Sequence, residues 1–228
     1  MSGDRHPFPA LPEMSDAERV ACSRTAFQRL KSRHSCRAFA DTPVPREVIE
    51  NAIRAAGTAP SGANHQPWHF AVIGSPEKKR ALREAAEAEE RRFYGEDGDK
   101  PKASEEWLNA LAPIGTDASK PFLENAPWLI ACFSQRTGGI DEDGTTQNYY
   151  VNESVGIACG MLIATLHDAG LATLTHTPSP MGFLRDLCGR PSNEKPLMIV
   201  VVGHPADDAT VPDHALKKKP LKQISSWF

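Results

Sequence analysis

Apolar and polar positions alternate along the chain in a few distinct rhythms. Ser15, Asp16, Ala17 and Glu18 have the form of a capping box, and Val20, Phe27 and Leu30 follow at helical spacing, which predicts a helix over residues 15–33. Residues 45–56 predict a second helix, with Val48, Ile49, Ile53 and Ala56 on one face and Gly57 as its stop. Residues 58–67 hold Pro60, Ser61, Gly62, Asn64 and Pro67 and read as a loop. Residues 68–73, aromatic and β-branched, read as a short strand. Ser75 followed by Pro76 starts a helix that runs to about Tyr94.

The stretch 95–119 is polar and interrupted by Pro101, Pro113 and Gly115, which predicts a surface lid or insertion. Residues 128–134, 171–175 and 197–202 read as strands, 181–187 as a short helix, and 136–145 as a glycine-rich, acidic loop. Residues 152–169 form the strongest helical signal, apolar almost all round, and such a helix belongs in a core or at a subunit interface. Its small residues Gly156, Ala158, Gly160 and Ala164 suit close approach of another backbone, and Gly170 ends it. Helices and strands mix without regular βα alternation, so the expectation is a single α+β domain over 1–228. The apolar helix and the tail, which ends in Trp227 and Phe228, suggest elements exchanged between two subunits.

Composition narrows the classes. The 228 residues suffice for one real core. A formal net charge of −3 gives no electrostatic case for nucleic acid as a partner. Residues 1–13 are polar with three prolines, so no secretory leader is expected. No run approaches the roughly 18 apolar residues of a membrane span, so the expectation is a soluble, cytoplasmic protein without a membrane partner. Five cysteines, none spaced as CxxC, fit reduced thiols better than disulfides, and no metal site is expected.

Three clusters have the residue types for binding chemistry. Arg33, His34, Ser35, Cys36 and Arg37 put two guanidinium groups and an imidazole within five positions, suited to a phosphate, though equally to a solvated basic turn. Residues 59–68, with Pro60, Ser61, Gly62 and Ala63, offer a small-residue loop whose backbone can approach a flat ring, or an ordinary turn before a strand. Thr175, His176 and Thr177 end a strand and carry donors for a redox cofactor, or simply edge a half-wet sheet. No GxGxxG, P-loop or GxSxG motif occurs.

In this order the segments Arg33–Arg37, Pro60–Trp68, the apolar helix and the late basic stretch resemble the nitroreductase superfamily. Within it, residues 56–63, 152–155, 157–160, 169–171, 187–191, 194–196, 209–212 and 219–221 are similar to the iodotyrosine deiodinase family, of a soluble, bacterial type. The resemblance spans about Arg33 to Ile224. It implies a nitroreductase-like fold with a central mixed sheet flanked by helices, in an intertwined homodimer with an exchanged terminal segment and FMN at the interface. It implies reductive removal of halide from mono- and diiodotyrosine, with electrons from NAD(P)H directly or through a reductase.

Residue roles follow by the same resemblance. Glu90, Tyr94 and Lys120, at a mobile lid of about 95–120, would grip the amino-acid zwitterion, and the Ala63 backbone would meet the phenolate. Arg33, His34, Ser35, Arg37, Pro60, Ser61, Gly62, Thr175, His176, Thr177 and Lys218 would hold FMN, with Thr177 donating to its N5 as the catalytic group. The chain departs from the family pattern at His34 and Lys218, where arginines are usual, and at His176, where the strand's central threonine is usual. Other readings that the residues allow are a general nitroreductase or quinone reductase of flat aromatics, in which the lid charges are incidental, a flavin-degrading enzyme of the same fold, and a non-enzymatic flavin or small-molecule binding module.

Overall fold

The computed structural model describes residues 5–96, 98, 100–140 and 145–228. The acidic centre of the predicted 136–145 loop, residues 141–144, lies outside them, as do residues 97 and 99 of the predicted lid and residues 1–4. The chain divides into two units, Met1–Arg33 and His34–Phe228. The first holds α1 (Asp16–Lys31), begun by the expected capping box: Ser15 Oγ accepts the Glu18 N–H at 3.3 Å and Glu18 Oε2 accepts the Ser15 N–H at 2.7 Å. Its apolar Val20, Phe27 and Leu30 are exposed.

The second unit is built on a four-stranded sheet of β1 (Trp68–Ile73), β2 (Trp128–Gln135), β3 (Ala172–His176) and β4 (Glu194–Gly203), in the order β1-β2-β4-β3. The sequence reading expects a mixed sheet. All three ladders are antiparallel, and the parallel contribution among the described residues is the isolated bridge from Ser35 to Thr173. β4 is also longer than its apolar run implies, because Glu194 and Lys195 pair with Gln135 and Ser134.

Helices cover both faces. Leu129, Ala131 and Phe133 of β2, with Ile199 and Val201 of β4, pack with Leu82 and Ala86 of α3 (Pro76–Tyr94), Phe122 and Leu123 of α5 (Phe122–Asn125) and Leu184 of α7 (Phe183–Leu187). Their alternates Ile130, Cys132, Val200 and Val202 pack with Ile49, Ala52 and Ala56 of α2 (Arg46–Ala56) and with Val155, Ala158, Cys159, Leu162 and Leu166 of α6 (Val151–Asp168). Burial on both faces explains why the central strands read as unbroken apolar runs rather than as alternations. Among the described residues, no helix is long and apolar enough to cross a membrane.

The predicted lid has more structure than its prolines suggest. It contains α4 (Glu105–Leu111), started by Ser104, whose Oγ accepts the Trp107 N–H at 3.2 Å, and then a 3-10 turn over Ala112–Ile114. Pro113 sits in the 3-10 turn and ends the helix instead of preventing it. The tail carries two one-turn helices, α8 (Asp213–Leu216) and α9 (Leu221–Ile224), with Leu216, Leu221, Ile224, Trp227 and Phe228 exposed.

Gly74 shows how tightly the sheet edge is closed. A Cβ there would lie 2.8 Å from Trp128 Cε3 and closer still to Cζ3, while Trp128 is held by its indole N–H, which donates to the Val44 carbonyl at 2.8 Å. Gly74→Ala should therefore displace the indole and lower stability by about 1–3 kcal/mol, read from the urea midpoint at unchanged slope. An unchanged midpoint would mean that the ring moves freely.

Candidate active site

One face of α3 and the strand end beyond β3 enclose a cavity of about 220 Å³, whose lining includes Arg37, Glu90, Tyr94, Lys120, Thr175, His176 and Thr177. Seven of the residues singled out from sequence therefore meet at one place. They come from four separate parts of the chain. The helix brings Glu90 and Tyr94 to one side because they are four residues apart. The lid ends at Lys120, just before α5, and β3 delivers 175–177 from the opposite direction.

Lys120 is the centre of the arrangement. Its side chain is 2% exposed, and its Nζ lies 3.4 Å from Glu90 Oε2 and 3.1 Å from Thr116 Oγ1, with a further hydrogen bond to the Asp117 carbonyl. The ammonium also stands 5.8 Å from the centre of the Tyr94 ring. A buried cation is tolerated only when paired and hydrogen-bonded, and here it is both. Burial lifts the Glu90 carboxyl above the usual carboxylate range, and the charge of Lys120 pulls it partly back. Burial likewise raises the Tyr94 phenol, whose O–H donates to the Thr116 carbonyl at 3.3 Å. The end of α3 is thus tied to residue 116, near the close of the predicted lid.

On the other wall, burial drives the His176 imidazole down to about 3, with Lys120 and Arg37 adding repulsion. The ring is neutral and packs edge-on against Phe122, with centroids 5.6 Å apart. Its Nε2 is buried without a hydrogen-bond partner among the described residues. Such an orphan costs about 1–3 kcal/mol and marks an open polar valence at the site. Arg37 is half-buried there and held below the usual guanidinium range by desolvation. Thr177 also lines a second cavity of about 770 Å³, with Ser179 common to both.

The remaining expected residues do not line the smaller cavity. Arg33 ends the first unit, its N–H donating to the Leu30 carbonyl at 3.2 Å. His34 opens the second unit, and Ser35 forms the bridge to Thr173. Lys218 is exposed on the tail, donating to the Ala215 carbonyl at 2.8 Å. Pro60, Ser61, Gly62 and Ala63 belong to a loop with positive φ at Ala63 (50°), Asn64 (57°) and Gln66 (51°), and such strain clusters at functional sites. At Gly62 a Cβ would meet the Tyr149 carbonyl oxygen at 2.8 Å. The loop is braced by Gln66 N–H donating to Ser61 Oγ at 2.9 Å and by His65 Nδ1 at 2.8 Å from Asn148 Oδ1.

Sequence reasoning missed Thr116, Asp117, Trp107 and Leu111. The last two line the cavity from α4. Their signal was the Ser104-Glu105-Glu106 helix start, outweighed by the surrounding prolines.

The model of the "Nitroreductase family" matches residues 30–204. An iodotyrosine deiodinase from Haliscomenobacter hydrossis is 48% identical over 202 residues, covering 89% of each chain. Iodotyrosine deiodinase 1 of Homo sapiens is 44% identical over 211 residues, 92% of this chain and 70% of the human one. The crystal structure of an oxidised iodotyrosine deiodinase bound to FMN and 3-iodo-L-tyrosine superposes with a TM-score of 0.70 at 28% identity, covering 80% of this chain and 90% of that one.

The titration of His176 gives a stability signature. An unfolded histidine takes up a proton near its ordinary value of 6.5, whereas the folded ring stays neutral down to about 3. The contribution is therefore complete above the unfolded value and is lost as the pH falls from there toward the folded one. Between pH 7 and pH 5, urea unfolding of the wild type should lose roughly 1–2 kcal/mol more than His176→Gln. Equal losses would show that the ring is hydrated and titrates normally.

Proposed function

The chain belongs to the nitroreductase family, on its iodotyrosine deiodinase branch, and on that premise we propose that it uses FMN to remove halide reductively from halotyrosines. The observation that carries the reading is the convergence of Glu90, Tyr94 and Lys120 with the Thr175–Thr177 strand end on a single cavity. An amino-acid head has one ammonium and one carboxylate, and Glu90 and Lys120 are their complements. In the chain alone these two groups pair with each other. A zwitterion inserted between them replaces one ion pair by two, so no net charge is buried. Tyr94, close to both, hydrogen-bonds the head group.

The residues present fit FMN. Arg37 supplies a cation, His176 an unsatisfied buried nitrogen, and Thr177, which lines both cavities, a hydroxyl. Arg33, His34, Ser35, Arg37 and Lys218 would serve the phosphate and ribityl chain, and Pro60, Ser61, Gly62, Thr175, His176 and Thr177 the ring. When bound, FMN supplies the two electrons that, with one proton, convert a carbon–iodine bond to carbon–hydrogen and release iodide. The protein's part is to hold the phenol ring in place, with the Ala63 backbone toward the phenolate, and to keep a donor, Thr177, at the reacting edge. Lid residues Trp107 and Leu111 exclude water from above. The electrons come from NAD(P)H, directly or through a reductase.

The working unit is a homodimer in the cytoplasm. Within one chain the strained 60–66 loop does not line the cavity that holds the zwitterion grip. A second copy would supply that loop. Apolar surface for pairing is available on α6, where Ile157 is exposed and Gly156 and Gly160 face open space, and on the tail.

Titration of the FMN-loaded protein with 3-iodotyrosine should quench flavin fluorescence, and Glu90→Gln should raise the Kd at least about tenfold, the worth of one charge-assisted hydrogen bond. 3-Iodotyramine, which lacks the carboxylate, should bind more weakly than 3-iodotyrosine. Iodide release under dithionite completes the assay. Nitroaromatic reduction without any binding of tyrosine derivatives would select the general reductase instead.

A further inference from the structure

Helix α3 presents a stripe of Lys79, Arg83, Glu87, Glu90 and Tyr94, spaced by three or four residues. Every member holds part of the segment 116–126. Lys79 Nζ donates to the carbonyls of Glu124 at 2.8 Å and Ala126 at 2.9 Å. Arg83 Nε donates to Glu124 Oε2 at 2.7 Å. Glu90 and Tyr94 meet Lys120 and Thr116 as described. The zwitterion reading uses the last two members and leaves Glu87, which is not part of the cavity lining, without a role.

The two oxygens of Glu87 are engaged separately. Oε1 accepts the backbone N–H of Lys120 at 2.7 Å, and Oε2 accepts Arg83 Nη1 at 2.6 Å. The guanidinium of Arg83 therefore bridges Glu87 and Glu124, and Arg80 braces Glu124 from outside at 3.2 Å. On its other side, the Lys120 carbonyl accepts the Leu123 N–H at 3.0 Å. The lysine backbone is fixed both before and after its Cα. The Glu87 side chain is only 14% exposed, so its bonds compete weakly with water.

A lysine side chain is long and flexible, and its head can meet a carboxylate reproducibly only if its base is fixed. We propose that Glu87, braced by Arg83, is a positioning residue that fixes Lys120 and so sets the preference for aromatic halides with an amino-acid head over bare halophenols, an inference that rests on the deiodinase reading. A halophenol makes no use of Lys120, so its binding is indifferent to where the lysine stands.

The test measures the Kd of 3-iodotyrosine and of 2-iodophenol by flavin quenching in FMN-loaded wild type, Glu87→Ala and Glu87→Gln. Glu87→Ala should weaken 3-iodotyrosine about tenfold and leave 2-iodophenol within about twofold. Glu87→Gln keeps an acceptor for the Lys120 N–H and should recover most of the loss. Equal weakening of both ligands, or none for 3-iodotyrosine, overturns the proposal. Hydrogen exchange of the Lys120 amide gives a readout that needs no ligand preference: it should quicken about tenfold in Glu87→Ala, and unchanged exchange overturns the positioning role. A wild type that binds both ligands equally well overturns the deiodinase reading, and the exchange result still decides the case for Glu87.

Discussion

The arrangement of the lid follows from one constraint: a lysine ammonium is buried almost completely, and it must be paired where it stands. Lys120 is among the largest fully buried side chains of the described residues. Its need for partners draws Glu90 inward, turns the Asp117 carbonyl and the Thr116 hydroxyl toward it, and closes the lid base through Tyr94. None of these groups has an apolar reason to be where it is. Remove the charge, and Glu90 becomes an uncompensated buried carboxylate with every incentive to take up a proton.

This logic explains why the ends of the lid are well defined although its sequence is irregular. Regular elements supply the anchors: a nineteen-residue helix on one side and the turn of α5 on the other. Between them, the chain needs only enough length to reach across and small amphipathic pieces such as α4 to cover the opening. The segment is held at its base by polar contacts, and Trp107 of α4 remains half in solvent.

Much of this was legible in the residues alone. Strand β1 and helix α3 lie where the aromatic run and the Ser75-Pro76 start place them, because both signals are local. Glu90 and Tyr94 are visible as a pair through their spacing, and the likeness to a family adds Lys120. Local signals do not reach the partners supplied by folding. Thr116 and Asp117 are ordinary polar residues until the lysine is buried against them, and the Tyr149 carbonyl that crowds Gly62 is far away in sequence. The antiparallel sense of the ladders was equally hidden, since a buried strand has the same apolar run in either direction.

The sheet separates two neighbourhoods by the parity of residue number. Along β2, Leu129, Ala131 and Phe133 face the layer of α3, α5 and α7, whereas Ile130 and Cys132 face the layer of α2 and α6. A change on one set is felt beneath the lid, and a change on the other is felt beneath the open face of α6. Variation in the core is thereby sorted: a substitution on the first set reaches the layer of α3 and α5 without disturbing the packing of α2 and α6.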